Sequence, residues 1–117
     1  MIERVICDSA ALQDGGLAVR FKARLYGEEP SAFAVRYQGR VYAYLNECVH
    51  IPLELDQKPG HIFDMTGQYL VCSVHGAFFA PHNGNCLGGP CRGPGLVPLQ
   101  VEERCGLVWL KEGECNE

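Results

Sequence analysis

Two short segments of the sequence pair a thiol with an imidazole: Cys48-Val49-His50 and Cys72-Ser73-Val74-His75. Together they offer two thiolates and two imidazoles, both good ligands for a transition metal. Two kinds of centre use this donor set. In a [2Fe–2S] cluster of mixed ligation, two Cys hold one iron and two His the other. Each segment would then give one ligand to each iron, and the two would grip the group like fingers. A zinc ion bound by two Cys and two His is the alternative. Structural zinc pairs usually sit on a turn with a following helix, whereas here each pair closes a β-type run, which favours the cluster. Gly76, directly after the second His, lets the backbone turn tightly.

The rest of the composition fits such a centre. Seven cysteines are an odd number, and the N-terminus, Met1 to Asp8, has no apolar core of signal-peptide length. No apolar stretch is long enough to span a bilayer. A cytoplasmic location without membrane attachment is expected. In that reducing compartment a disulfide framework is disfavoured, so metal binding is the first explanation for the cysteines. By the same reasoning Cys86 and Cys91, which bracket Leu87-Gly88-Gly89-Pro90, are expected as free thiols. Cys7 is expected as a small buried hydrophobe, and Cys105 and Cys115 as edge residues. His61 and His82 lie in polar loops and read as solvated. The net charge of −4 comes without any Lys/Arg block, which argues against nucleic acid. A mildly acidic surface suits transient docking on a basic partner.

The elements that must position these ligands are short strands. Leu17 to Tyr26 alternates, with Leu17, Val19, Phe21, Ala23 and Leu25 on one face and Arg20, Lys22 and Arg24 on the other. Ala32–Tyr37 and Arg40–Leu45 flank Gln38-Gly39 and predict a hairpin. Tyr69–Cys72 and Ala77–Phe79 flank the second ligand pair. Leu96–Val101 and Leu107–Leu110 enclose Glu102–Gly106 as a terminal hairpin, with Trp109 in its core. Ile51–Gln68 and Pro81–Gly95 are too rich in Gly and Pro for strand or helix, and both adjoin the Cys/His pairs. With 117 residues, one all-β domain spanning 1–117 is expected, an antiparallel sandwich or small barrel.

Cys-x-His followed by Cys-x-x-His-Gly, on hairpin tips in a chain of this size, resembles the Rieske-type [2Fe–2S] ferredoxin family. The likeness extends to Asn83-Gly84-Asn85 after the second pair and to Leu87-Gly88-Gly89-Pro90, similar to the family's proline-bearing third loop. Leu96-Val97-Pro98-Leu99 and Gly106-Leu107-Val108-Trp109-Leu110 resemble its closing hairpin. The likeness covers roughly residues 17 to 111. It implies a cluster-binding subdomain at about 46–95, made of two hairpin loops plus the Gly-Gly-Pro loop. It also implies one [2Fe–2S] cluster on Cys48, His50, Cys72 and His75, with no catalytic residues and no small-molecule substrate. The longer segment around Glu54 to Asp64 departs from the family pattern.

The resemblance also bears on redox tuning. High-potential relatives carry a disulfide clamp between the two loops, where this chain has Leu53 and Val74, and hydroxyl donors where it has Ala77 and Phe79. Without those donors negative charge on sulfur is less stabilised. A potential nearer about −150 mV than +300 mV is expected. His50 and His75 should lie at an exposed tip rimmed by Val49, Ile51, Pro52, Ala77 and Pro90. The implied function is that of a one-electron carrier, a ferredoxin taking electrons from a reductase to an oxygenase. The chain is too short to hold the oxygenase as well. A small Rieske subunit of a larger reductase is the alternative, and a redox sensor finds no signalling module to support it.

Overall fold

A computed structural model describes residues 2–23, 31–46, 60–72, 76–88 and 95–112. The chain runs through β1 (Ile2–Asp8), a single 3-10 turn (Ser9–Ala11), β2 (Val19–Lys22), β3 (Ser31–Tyr37) and β4 (Arg40–Leu45). It continues through β5 (Leu70–Val71), β6 (Phe78–Phe79), β7 (Cys86–Gly88), β8 (Pro98–Leu99), β9 (Val101–Arg104) and β10 (Leu107–Glu112). All strand pairs are antiparallel, in three sheets ordered β1-β10-β9, β2-β3-β4-β8 and β5-β6-β7. The all-β architecture is the expected one.

The middle sheet explains the layering. On β3, Ala32, Phe33, Ala34 and Val35 are all buried, a continuous run that only a strand covered on both faces tolerates. Period-2 alternation sorts them by size. Ala34 pairs with Ala43 of β4, and this face packs with Leu12, Val19, Phe21, Leu99, Val101 and Val108 toward the β1-β10-β9 sheet. Phe33 pairs with Tyr44 and Val35 with Tyr42; that face meets Ile62, Leu70, Cys72, Ala77, Phe79 and Leu96 on the β5-β6-β7 side. Small residues thus let the outer sheet approach closely, while Phe33 and Tyr44, with ring centroids 5.9 Å apart, fill the wider space beneath the candidate site.

The β3–β4 hairpin forms as the sequence predicts. Gln38 and Gly39 both adopt positive φ, the two-residue turn whose twist matches the flanking strands. Asp14 accepts from both backbone N–H groups, with Oδ2 2.8 Å from the Gly39 nitrogen. Arg20 and Lys22 face solvent as expected, but Leu17 is exposed rather than buried, because β2 begins only at Val19.

The terminal hairpin differs from expectation. Val101–Arg104 is strand and the turn is only Cys105-Gly106, both at positive φ. The run 96–101 is split, since β8 pairs with β4 and β9 with β10, so the chain changes sheet at Gln100. β10 also pairs with β1, in a ladder broken between Val5 and Cys7. The outward face of this sheet is charged. Arg104 meets Glu3 at 2.7 Å and Glu102 at 2.8 Å, and its guanidinium covers the Trp109 ring at 4.5 Å. Trp109 therefore lies half-buried under an arginine on this outer face rather than in the core.

Candidate metal centre

Of the expected ligands, Cys72 lies among the described residues; Cys48, His50 and His75 lie outside them. Cys72 follows β5 and extends its ladder by one step, its N–H donating to the Ala77 carbonyl at 2.8 Å. The Gly76 N–H returns a bond to the Cys72 carbonyl at 2.8 Å. Both flanks of positions 73–75 are thereby pinned. Gly76 sits at φ +76° with open space where a Cβ would be, so backbone conformation rather than crowding calls for glycine. The Cys72 thiol is free and has no solvent exposure. Leu70, Ile62, Tyr44 and Phe79 belong to the same buried cluster.

The first pair follows β4. Here Leu45 donates its N–H to Val97 at 3.0 Å and Asn46 donates to Ser31 at 2.9 Å. Asn46 is nearly fully buried, and the described part of this arm ends there. Tyr44, two residues earlier, shares its core with Cys72, so the strand preceding the first pair and the strand preceding the second meet in one apolar layer. Among the described residues no three or more His, Cys, Asp or Glu gather in a metal-binding arrangement.

Sequence reasoning missed Tyr44. Its buried hydroxyl donates to the Pro81 carbonyl at 2.7 Å, tying the middle sheet to the turn between β6 and β7. Burial pushes the phenol well above its ordinary range, so it stays a donor. The turn itself is closed by Gly84 N–H to the Ala80 carbonyl at 2.8 Å and by the Asn83 side chain accepting from Asn85 N–H at 2.9 Å. Nothing in the alternating Val41-Tyr42-Ala43-Tyr44 distinguishes the two tyrosines; only the layering does.

Several expectations around the site change. Ala77, expected on an exposed rim, is fully buried and belongs to the core; Val49, Ile51, Pro52 and Pro90, like Leu53 and Val74, lie outside the described residues. Phe79 is equally buried. The stretch before β5, expected to be structureless, is partly organised. Phe63 bridges to Leu70, Asp64 N–H donates to the Tyr69 carbonyl at 2.9 Å, and the Asp64 carboxylate accepts from Thr66 Oγ1 at 2.8 Å and Gln68 N–H at 3.2 Å. Desolvation alone would raise the Asp64 pKa, but these bonds outweigh it and hold the carboxyl below its usual range. Within the Pro81–Gly95 stretch, Cys86–Gly88 forms strand β7. Cys86, expected as a free thiol, is disulfide-bonded, whereas Cys91 and Cys115 lie outside the described residues. His61 and His82 are exposed as expected, Cys105 lies in an exposed turn, and Cys7 packs half-buried on the lower core. Burial, then the neighbouring Asp8, pushes the Cys7 thiol up.

Comparison with known proteins gives these features a family. Residues 3–105 match the family model of the Rieske [2Fe-2S] domain. No curated protein matches the chain. Among solved structures, the ferredoxin of carbazole 1,9a-dioxygenase from Nocardioides aromaticivorans IC177 aligns with TM-score 0.75 at 20% identity, over 97% of this chain and 100% of that one. The Sphingomonas yanoikuyae B1 ferredoxin aligns with TM-score 0.72 at 20% identity, over 96% and 100%. A chain in the complex of reduced oxygenase and oxidized ferredoxin in carbazole 1,9a-dioxygenase aligns with TM-score 0.71 at 24% identity, over 93% and 92%. With a family match over most of its length and the same β architecture, the chain belongs to the Rieske [2Fe-2S] domain family, whose cofactor is a [2Fe–2S] cluster.

Proposed function

We propose that the chain is a single-domain one-electron carrier in which Cys48 and Cys72 hold one iron of the cluster and His50 and His75 the other. The observation that carries this is Cys72: a free, fully buried thiol at a hairpin end, in a chain matched by the Rieske domain. The thiol fits the group, because a ligating sulfur must be free of disulfide and gains from a dry, apolar surround. When bound, the cluster supplies one reversible electron. The chain's own residues do the remaining work. Leu70, Ile62, Tyr44 and Phe79 keep water from the Cys72 sulfur. The Cys72–Ala77 and Gly76–Cys72 bonds fix where the second pair leaves the sheet.

Buried Ala77 and Phe79 carry no hydroxyl that could donate to sulfur, which supports a potential at the low end of the Rieske range, about −150 mV. The partners we assign are a reductase that supplies electrons and an oxygenase-type protein that takes them, all in the cytoplasm. The similarity of this fold to a chain in the ferredoxin–oxygenase complex of carbazole 1,9a-dioxygenase supports that assignment. Among the described residues no helix is long and apolar enough to cross a membrane.

The test is the spectrum and metal content of freshly purified protein. Iron and acid-labile sulfide in equal amounts, with visible bands that bleach on reduction, are expected. Zinc without iron would refute the cluster assignment. Turnover with NADH, a ferredoxin reductase and an oxygenase then tests the carrier role, and tight co-purification with a larger reductase would overturn it. A midpoint potential well above zero by voltammetry would overturn the tuning argument.

A further inference from the structure

Strand β8 lies beside β4 for two residue pairs only, Tyr44 with Pro98 and Ala43 with Leu99. In that register Val41 would next face Val101, but Val101 pairs instead with Leu110 of β10. The strands part at Gln100, and a cleft of about 610 Å³ opens along the parting. A cavity of this size suits a small organic ligand. All three sheets contribute to its lining. Tyr42 comes from β4, Pro98 from β8 and Lys111 from β10, while His82 and Asn83 come from the turn between β6 and β7. That turn is fixed by the protein's own bonds. Tyr44 Oη donates to the Pro81 carbonyl at 2.7 Å and Gly84 N–H to the Ala80 carbonyl at 2.8 Å. Asn83 Oδ1 accepts from Asn85 N–H at 2.9 Å, which leaves its NH2 group as a donor. Lys111 is anchored beside Gln100, its backbone N–H donating to the Gln100 carbonyl at 3.0 Å.

We propose that this cleft binds a small aromatic carboxylic acid, its ring against Tyr42 and Pro98 and its carboxylate held by Lys111 and His82. Charge selects the anion. Among the described residues no Asp or Glu lines the cleft; its titratable groups are two bases, His82 and Lys111, and two phenols, Tyr42 and Tyr44. Lys111 does have an acidic neighbour in Glu102, 3.3 Å away, but the same Glu102 oxygen lies 2.8 Å from Arg104. Arg104 also holds Glu3 at 2.7 Å. An ammonium has three N–H donors, so one long contact to a carboxylate already held by arginine leaves donors for an incoming anion. The Lys111 side chain is 31% exposed, and His82 is exposed. Shape selects a flat body. Tyr42 is half-buried against the upper core and Pro98 is exposed, and an aromatic ring packs well against both kinds of surface. The amides of Asn83 and Gln100 add neutral hydrogen-bonding groups at the same lining. A bound acid would brace the three sheets at their common seam. Cys72 does not line the cleft, so the site stands apart from the carrier assignment.

Calorimetric titration of the purified protein with benzoate tests the site. Benzoate should bind with a millimolar Kd that weakens as salt rises. Benzamide keeps the ring without the charge and acetate the charge without the ring; each should bind about fivefold more weakly or worse. Lys111→Met should weaken benzoate by about fivefold, as expected for one part-exposed charged contact. His82→Ala, in an exposed turn, provides a second variant should Lys111→Met unfold, and it should weaken benzoate in the same direction. Lys22→Met, on β2 away from the cleft, should leave the affinity unchanged. Hydrogen exchange locates the ligand: benzoate should slow exchange in peptides covering 80–84 and 97–101 in the wild-type protein. Equal binding of benzamide and benzoate, unchanged affinity in both cleft variants, or an equal loss in Lys22→Met overturns the proposal. An acidic peptide that binds more tightly than benzoate makes the cleft a protein-docking site and overturns the small-acid assignment. None of these outcomes alters iron content or the visible spectrum, so the carrier assignment is tested separately.

Discussion

Arg36 is the side chain whose removal should most clearly separate the two halves of the lower sandwich. Its guanidinium spends its donors on four different places: Nε on the Leu12 carbonyl at 2.9 Å, Nη2 on Ser9 at 3.1 Å and Glu103 at 2.6 Å, and Nη1 on Glu103 at 3.1 Å and Gly39 at 3.3 Å. One residue of β3 thus joins the middle sheet to the 3-10 turn and to β9 of the outer sheet. The Arg36 side chain is 16% exposed and Glu103 32%, so the pair is neither deeply buried nor freely solvated. A bidentate charge-assisted pair in such a setting should couple by about 1–1.5 kcal/mol, above an exposed pair and below a buried one. Arg36→Met also strands two or three carbonyls, so its total cost should reach about 2–3 kcal/mol, whereas Glu103→Gln should cost about 1 kcal/mol. Urea denaturation of both single variants and the double variant, followed by fluorescence of the lone Trp109 beside β9, measures the coupling. The Arg36 guanidinium holds the Glu103 carboxyl below its ordinary value of 4.5. A carboxyl depressed in the folded state adds stability that is complete above its unfolded pKa and is lost as pH falls through the folded one. The wild-type protein should therefore lose stability below about pH 4.5 more steeply than either variant. A coupling under about 0.3 kcal/mol, or identical acid profiles, would refute the bridge between the sheets.

Three further outcomes are expected. Gly84→Ala places a methyl 2.8 Å from the Tyr44 ring at φ +76°, which should cost about 3 kcal/mol by denaturation; Gly39→Ala, at φ +83° with open space around it, should cost only about 1 kcal/mol, and equal losses would show that crowding at Gly84 is not the cause. Tyr44→Phe removes the donor to the Pro81 carbonyl and should destabilise by about 1–2 kcal/mol with faster amide exchange at Gly84 and Asn85; an unchanged exchange rate there would count against the tether. Cys72→Ser should abolish the visible bands and the bound iron, while Cys105→Ser, in an exposed turn, should leave both intact; full iron occupancy in the first variant would remove Cys72 from the ligand set.

What the sequence determined by itself was local. The hairpin around Gln38-Gly39 was legible because two adjacent positive-φ residues between β-type runs admit few other conformations. The family and its cofactor were legible because ligand type and spacing in the Cys/His segments carry that chemistry directly, and the Rieske domain match bears out the family. β1 was not legible: Ile2–Asp8 mixes charged with apolar residues, is bulged between Val5 and Cys7, and forms only against β10, about a hundred residues away. The change of sheet at Gln100 escaped for the same reason, since 96–101 looks like one strand until two different neighbours claim its halves. The small and large residues of β3 and β4 could be seen to alternate, but which face met the site depended on a third layer coming from residues 60–79. Tyr44, Arg36 and the disulfide at Cys86 belong to this second class. Each derives its role from partners distant in sequence or from burial, and propensity over a few residues contains no record of either.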